Sequence, residues 1–358
     1  MADTTIATGN TNTRHLRDFI MEWTRNNRFS KYTGSSMNNV IFQKTEAVTG
    51  RQPISIPLIN KLTGAGQTGG GNTLVGNEEN YGDSAWLLTP TYRRHAISIE
   101  KEEADKPNFD PIGVMRPLLS QWAKDQHRDL VLEALGAIYN GTTYSSYATA
   151  TEAAKDTWLT NNADRVLFGA AVGNGSSNDH SVALATVDAV ADVLTPEIGS
   201  LAKRRAQTAD SHIKPLRAND DEEWFVCFCN SLSFRDLSVS TSMQQATREA
   251  WSRGANNPLF TGGDLIKDGI IYREVPEISV IAGAGAAGID VAPNYLCGQM
   301  AVGWGIGMSP KFTKKSETDY EFDTGVGILF KDDIQKIFRD SSAQEGMVTV
   351  YTAGVADA

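Results

Sequence analysis

Cysteine and histidine are scarce in this 358-residue chain, and their scarcity removes whole classes of chemistry. The three cysteines, Cys227, Cys229 and Cys297, are too few and too unevenly spaced for a disulfide framework or a four-ligand zinc site. They read as small buried apolar residues. The five histidines (His15, His95, His127, His180 and His212) include no pair at the HExxH spacing, so neither a metal centre nor a cofactor is expected. Long apolar runs are missing too: no stretch reaches the roughly 18 residues a membrane-spanning helix needs. The polar start MADTTIATGNTNTRH has no apolar centre of the kind a secretory signal carries, so synthesis in the cytosol, away from any membrane, is expected. Basic excess is absent as well. With 33 Lys and Arg against 43 Asp and Glu, the formal charge is -10, which repels phosphate at long range and argues against a dedicated nucleic-acid binder.

What is present suits a folded protein. Apolar residues make up 41% and charged residues 21% of the chain, and its length predicts about two domains at roughly 150 residues each. After the polar tail, Leu16, Phe19, Ile20 and Trp23 recur at helical spacing behind a Thr13 cap. Strand patterns follow over 53–60 and 86–100. Between them, KLTGAGQTGGGNTLVGNEENYGDSA carries six glycines from 64 to 76 and almost nothing that could form its own core, so the loop is expected to project. From 110 to 140, Ile112, Met115, Leu119, Trp122, Leu130, Ala134 and Ile138 predict one long helix of about 25 residues, roughly 35 to 40 Å.

A Ser-, Thr-, Asn- and Gly-rich stretch spans 141–180, and helical pattern then resumes with a break at Pro196. EEWFVCFCN (222–230) reads as a buried strand, and SFRDLSVSTSMQQATREAWSRG as another helix. GIIYREVP, EISVIAGAG, YLCGQMAVGWGIG, YEFDTGVGILF and GMVTVYTAG are strand-like. Helices early and strands late predict an α+β class.

Several short motifs imitate active sites. Gly283, Gly285 and Gly288 satisfy GxGxxG after a strand-like run, but IDVAPNYL follows where a dinucleotide site needs a helix. His127-Arg128-Asp129 spells the start of a kinase catalytic loop, yet Ala134 stands where the metal-binding asparagine belongs. Asp323-Thr324-Gly325 is half of an aspartic-protease dyad and reads better as a strand entering a turn. Adjacent Glu78 and Glu79 suit contacts to a neighbour's arginines, with Arg93 and Arg94 as charge partners, better than acid–base work. None of these demands catalysis, and no enzyme is expected.

Three stretches in order resemble one family, the major capsid proteins of N-four-like phages, whose shells use the Hong Kong 97-type fold. They are IPLINKLTGAGQTGGGNTLVGNEE (56–79), NNPLFTGGDLIKDGIIYREVPEI (256–278), and LCGQMAVGWGIG (296–307) with the closing strands YEFDTGVGILFKDDIQKIFRD and GMVTVYTA. The resemblance implies an N-terminal arm (1–50) and an extended loop lying over an adjacent subunit (51–100). It implies a peripheral domain (101–184) with a spine helix at 110–140, in which 141–180 is an unassigned linker. An axial domain (185–300) and return strands of the peripheral domain (301–358) complete it. It also implies assembly as hexamers and pentamers into an icosahedral, DNA-filled virion capsid inside the bacterial host. Portal, scaffolding and decoration proteins are the implied partners, and packaged double-stranded DNA lies close without specific recognition.

The inter-subunit contacts then fall on Lys61, Leu62, Gly64, Gly66, Leu74, Gly76, Asn77, Glu78 and Glu79. Glycines at 64, 66, 69, 70 and 71 would let one loop adopt several quasi-equivalent shapes. An encapsulin-like compartment with the same fold, and a nucleotide-dependent oxidoreductase using Gly283 to Gly288, are the competing expectations.

Overall fold

The computed structural model describes residues 28–46, 52–68, 73–106, 110–218, 222–251, 264–318, 322–339 and 343–356. The helix expected near 13–29 and the turn-rich NNPLFTGG lie outside these, apart from Arg28 and Phe29 at the helix's end.

In chain order the elements that matter are β1 (Ile41–Thr45), β2 (Ile54–Ile59), β3 (Asp83–Leu88), β4 (Thr91–Glu100), α1 (Pro111–Gly136), α2 (Glu152–Asn161), β5 (Val166–Phe168), α3 (His180–Leu184) and α4 (Pro196–Thr208). There follow β6 (Glu222–Cys229), α5 (Ser231–Val239), α6 (Thr241–Trp251), β7 (Leu265–Lys267), β8 (Ile270–Glu274), β9 (Val291–Cys297), β10 (Val302–Thr318), β11 (Asp323–Lys336), β12 (Phe338–Arg339), β13 (Ala343–Gln344) and β14 (Met347–Ala353). Two sheets dominate. One places β1, β10, β11 and β4 side by side, with Thr33–Gly34 at its edge. The other runs β7, β8, β6, β9, β14, β5, so the last strand of the chain lies between β9 and β5 rather than beside β11.

Helix α1 links the two. Its first half packs Met115 and Leu119 with Ile99, Val326, Ile328 and Phe330 of the first sheet. Its second half packs Val131, Ala134 and Leu135 with Phe228, Tyr295, Val302 and Met347, where both sheets meet. At 26 residues it is about 39 Å long. It stops at Gly136, short of the expected end: Ile138 and Tyr139 instead pair with Tyr144 and Ser145 as a small hairpin, and β-branched and aromatic residues favour that state.

Other expectations are corrected in the same way. Pro196 opens α4 rather than interrupting a helix, because its fixed φ and missing N–H suit a first turn, and the Thr195 hydroxyl caps the Ile198 N–H. The single helix expected after residue 231 is two, separated where Ser240 turns extended (φ -56°, ψ 137°). The strand-like run 277–285 is a loop tied to β9 by a bridge between Ile281 and Val291. The three cysteines are buried and unpaired by disulfide, as expected.

Lys336 sits in the core with 1% of its surface exposed. Its Nζ donates to the Ala137 carbonyl (2.9 Å) and to Gln344 Oε1 (3.1 Å), over the rings of Trp158 and Phe338. Burial pulls this amine from its ordinary 10.5 down to about 7. Between those values the unfolded chain holds a proton the folded chain has released, so stability rises with pH by up to about 1.4 kcal/mol per unit. Burial pushes the Cys229 and Cys297 thiols up, which works in the opposite direction once unfolded thiols ionise, near pH 9. Urea unfolding of the wild type is therefore expected to gain stability from pH 7 to about 8.5, and Lys336→Met to lose that slope. Equal slopes would contradict the assignment.

Candidate inter-subunit contact site

The hairpin of β2 and β3 carries the loop singled out in the sequence. Alternation sets its two faces: Ile54, Ile56, Leu58 and Leu88 are buried with Ile337, whereas Ile59 and Leu87 on the other face are exposed. Trp86 anchors it further, its ring 5.2 Å from that of Tyr139 and 5.5 Å from that of Phe338. At the open end of the ladder, Ile59 pairs with Asp83 and the Asn60 N–H donates to the Gly82 carbonyl. Arg339 grips this point, donating to the Ile59 carbonyl (2.9 Å) and Asn60 Oδ1 (2.6 Å) while binding both carboxylate oxygens of Glu345 (2.5 and 2.7 Å).

Beyond the clamp every described loop residue is exposed. Local bonds nevertheless give it shape. The Glu79 carboxylate accepts the Thr63 N–H (2.7 Å), the Thr63 hydroxyl (3.1 Å) and the Gly64 N–H (2.7 Å), stapling the two limbs together. Those amide donors hold its pKa below the usual carboxylate range. Glu78 accepts the Gly76 N–H at 2.7 Å, and Asn77 donates to the Thr73 carbonyl at 3.1 Å. Gly66 and Gly76 take left-handed backbone angles (φ 67° and 84°), where a side chain would be strained. Lys61 Nζ reaches back to the Asp210 carbonyl at 3.3 Å. Gly69, Gly70 and Gly71 lie outside the described residues.

Within the chain the two arginines named as charge partners differ. Arg93 Nε is 3.1 Å from Asp332 Oδ1 of its own chain, and Glu79 is bound within its own loop. Arg94 is exposed. The expected Leu62 and Leu74 are exposed, and three apolar residues outside the expected set stand exposed with them, Ile59, Val75 and Tyr81, so that all five are between 63% and 80% exposed. Strand alternation could have flagged Ile59, but nothing local in the sequence marks Arg339.

The residues of the imitation motifs are engaged in local structure. Amides of the 283–288 loop, which would have to cradle a pyrophosphate, are engaged: Gly283 donates to Asp290 Oδ1, Gly285 to the Ile289 carbonyl and Ala286 to the Val187 carbonyl. The only helical turn among the described residues of this loop is a one-turn 3-10 helix, Ala286–Gly288, and a strand follows it. Arg128 pairs with Asp125 and Asp129 on the surface of α1. Asp323, Thr324 and Gly325 open β11, paired in register with Glu100, Ile99 and Ser98.

A family model described as phage capsid protein matches residues 4–356. The chain belongs to the phage capsid protein family. The major capsid protein of Pseudomonas phage KPP25 is 27% identical over 357 residues, covering 90% of this chain and 89% of that protein. A chain of the cyanophage Pam1 capsid asymmetric unit superposes over the full length of both chains with a TM-score of 0.87 at 29% identity. The capsid of Ralstonia phage GP4 does so with 0.76 at 20% identity. The fold of this capsid protein is accordingly of the Hong Kong 97-like type, with helix and sheet mixed as the sequence implied. Its family is one of structural proteins.

Proposed function

We propose that this capsid protein is the major capsid protein of a tailed bacteriophage, assembling as hexamers and pentamers into an icosahedral shell around double-stranded DNA. The observation that carries the reading is the β2–β3 hairpin. Its buried face is docked and its base clamped, while the tip beyond the clamp presents four large apolar side chains, Leu62, Leu74, Val75 and Tyr81, that stand mostly exposed. A patch of this kind, rimmed by polar residues, marks an interaction surface. A second copy of the chain is the partner a closed shell requires. Each apolar side chain covered by a neighbour contributes about 1.5 to 3 kcal/mol before ordering costs, and many such contacts multiply over a shell.

On this reading Lys61, Leu62, Gly64, Gly66, Leu74, Gly76, Asn77, Glu78 and Glu79 lie at the subunit boundary. Glu79 acts by holding the loop's shape, and Arg94 is the better placed of the two arginines to meet a neighbouring carboxylate. Residues 1–50 serve as the arm, 51–100 as the extended loop, 101–184 and 301–358 as the peripheral domain, and 185–300 as the axial domain. Portal, scaffolding and decoration proteins would complete the particle, built in the host cytoplasm. The charge of -10 lets packaged DNA lie against the shell without adhering.

Electron microscopy of the expressed chain tests this: rings of five and six or closed particles are expected, and a persistent monomer at high concentration would overturn it. Nucleic acid inside particles recovered from infected cells separates a genome shell from an enzyme-holding compartment. The Gly283–Gly288 alternative has its own test. A Cβ at Gly285 would lie 2.6 Å from Ile289 Cγ1 and 3.0 Å from the Val187 carbonyl, so Gly285→Ala is expected to cost about 1 to 3 kcal/mol by crowding. Calorimetry should find no nicotinamide or flavin affinity in either protein; binding that the substitution removes would restore the oxidoreductase reading.

A further inference from the structure

The segment 141–180, which the sequence resemblance leaves unassigned, folds so that the first turns of α2 and α3 meet. Glu152 and Asp156 stand four residues apart on one face of α2, and Asp179 caps α3. One carboxylate oxygen from each lies within 4.8 Å of the others. The aspartates are held in place through Oδ1: Asp156 accepts the His180 N–H (2.8 Å), and Asp179 accepts the Ser181 hydroxyl (2.7 Å) and the Val182 N–H (3.0 Å). Lys155 Nζ, 3.5 Å from Glu152 Oε2, supplies one positive charge against three negative ones.

A second observation points into the same place. The side chain of His180 is 1% exposed, and its Nδ1 has no hydrogen-bond partner among the described residues. That atom is aimed at the cluster, 3.6 Å from Glu152 Oε1, just too far to bond. On the other side of the ring, Nε2 is 3.5 Å from the Tyr351 hydroxyl on β14. An orphaned polar atom this deeply buried calls for an explanation, and a small shift of Glu152 would supply its partner.

We propose that Glu152, Asp156 and Asp179 bind a hard divalent cation of calcium type, with His180 as the positioning residue behind Glu152. Three carboxylates suit calcium, which takes oxygen ligands at about 2.3 to 2.6 Å and fills its remaining positions with water. The cation neutralises the two uncompensated negative charges. As it draws Glu152 into line, the Nδ1–H of His180 donates to Oε1, and Nε2 accepts from the Tyr351 hydroxyl. Imidazole orients a ligating carboxylate in this arrangement and does not touch the metal. A neutral imidazole has one N–H for Glu152 and one lone pair for Tyr351. The ion would tie the 141–180 segment to the second sheet.

The test uses the full-length, unassembled chain stripped with EDTA, so it is independent of shell formation. Added calcium chloride is expected to raise the thermal midpoint by several degrees. Terbium is expected to bind with luminescence sensitised by Trp158, whose ring lies 6.2 Å from that of His180. Asp156→Asn and Asp179→Asn each keep an Oδ1 acceptor for the local turns but remove a charge. Each is expected to weaken terbium binding about tenfold or more, with the EDTA-state midpoint unchanged or higher. Histidine side-chain nitrogen NMR should show calcium fixing the Nδ1–H form of His180, a response that purely structural packing would not give. A wild-type midpoint indifferent to calcium, or terbium binding equal in wild type and both variants, would overturn the site.

Discussion

Replacing residues 61–81 with an Asn-Gly turn is expected to leave the subunit folded and at least as stable as the wild type, and to abolish closed shells. The stability half follows from the ladder. Ile59 pairs with Asp83 and Asn60 with Gly82, so the two new residues complete a two-residue hairpin whose twist matches the strands. No buried side chain is lost, because every described residue from 61 to 81 is exposed. Shortening the loop lowers its closure entropy, a gain of up to about 2 kcal/mol. The assembly half follows from what leaves with the loop: Leu62, Leu74, Val75 and Tyr81, the uncovered apolar surface, together with the Glu79 staple that shapes it. Urea denaturation should give an unchanged or higher midpoint, and electron microscopy should find no closed particles. Normal particles from this variant would remove the hairpin from the assembly mechanism.

The sequence was most legible where a pattern is local and repeated. Helix α1 could be read because Met115, Leu119 and Trp122, then Leu130 and Ala134, recur mostly every three or four residues, and β6 because an unbroken apolar run suits a strand covered on both sides. It was least legible where a single backbone choice overrides the pattern. Ile138 fits the periodicity of α1 but falls beyond Gly136, and Ser240 divides what composition reads as one helix. Proline misleads in a related way: the same residue stops a helix or starts one according to its place in the turn, and the Thr195 cap decides it at Pro196.

The glycine-rich loop was legible as a loop but not in the bonds it makes within its own chain. Its glycines announced a segment without a core, and its position between two strands was correct. Its carboxylates invited a reading in terms of arginines across a boundary. Within the chain, its Glu79 carboxylate accepts from the amides of Thr63 and Gly64, 16 and 15 residues back along its own loop. Composition gives no sign of this, because any amide can donate and only the folded hairpin says which are close. Arg339 is the extreme case, since it reaches the Ile59 carbonyl across 280 residues of chain.

Removing that arginine is expected to cost more stability than any other single substitution considered for this capsid protein. Arg339 and Glu345 are 14% and 11% exposed and meet through two charge-assisted hydrogen bonds. Arg339→Ala would leave the carboxylate nearly buried and without its cation, for which breaking one side of such a pair costs about 3 to 5 kcal/mol. It would also release the Ile59 carbonyl and Asn60 Oδ1, loosening the hairpin base. Lysine is not a substitute, because one ammonium cannot hold a carboxylate by two parallel bonds and still reach two acceptors on the hairpin. Two measurements separate these effects. In a double-mutant cycle by urea denaturation, Arg339→Ala with Glu345→Ala should recover part of the loss, since the stranded charge is gone. Limited proteolysis between residues 60 and 82 should stay faster than wild type in the double variant, because the clamp on the hairpin is still missing. An Arg339→Ala protein within about 1 kcal/mol of wild type would mean that the pair is solvated like an ordinary surface bridge and that β2 and β3 are held by their apolar face alone.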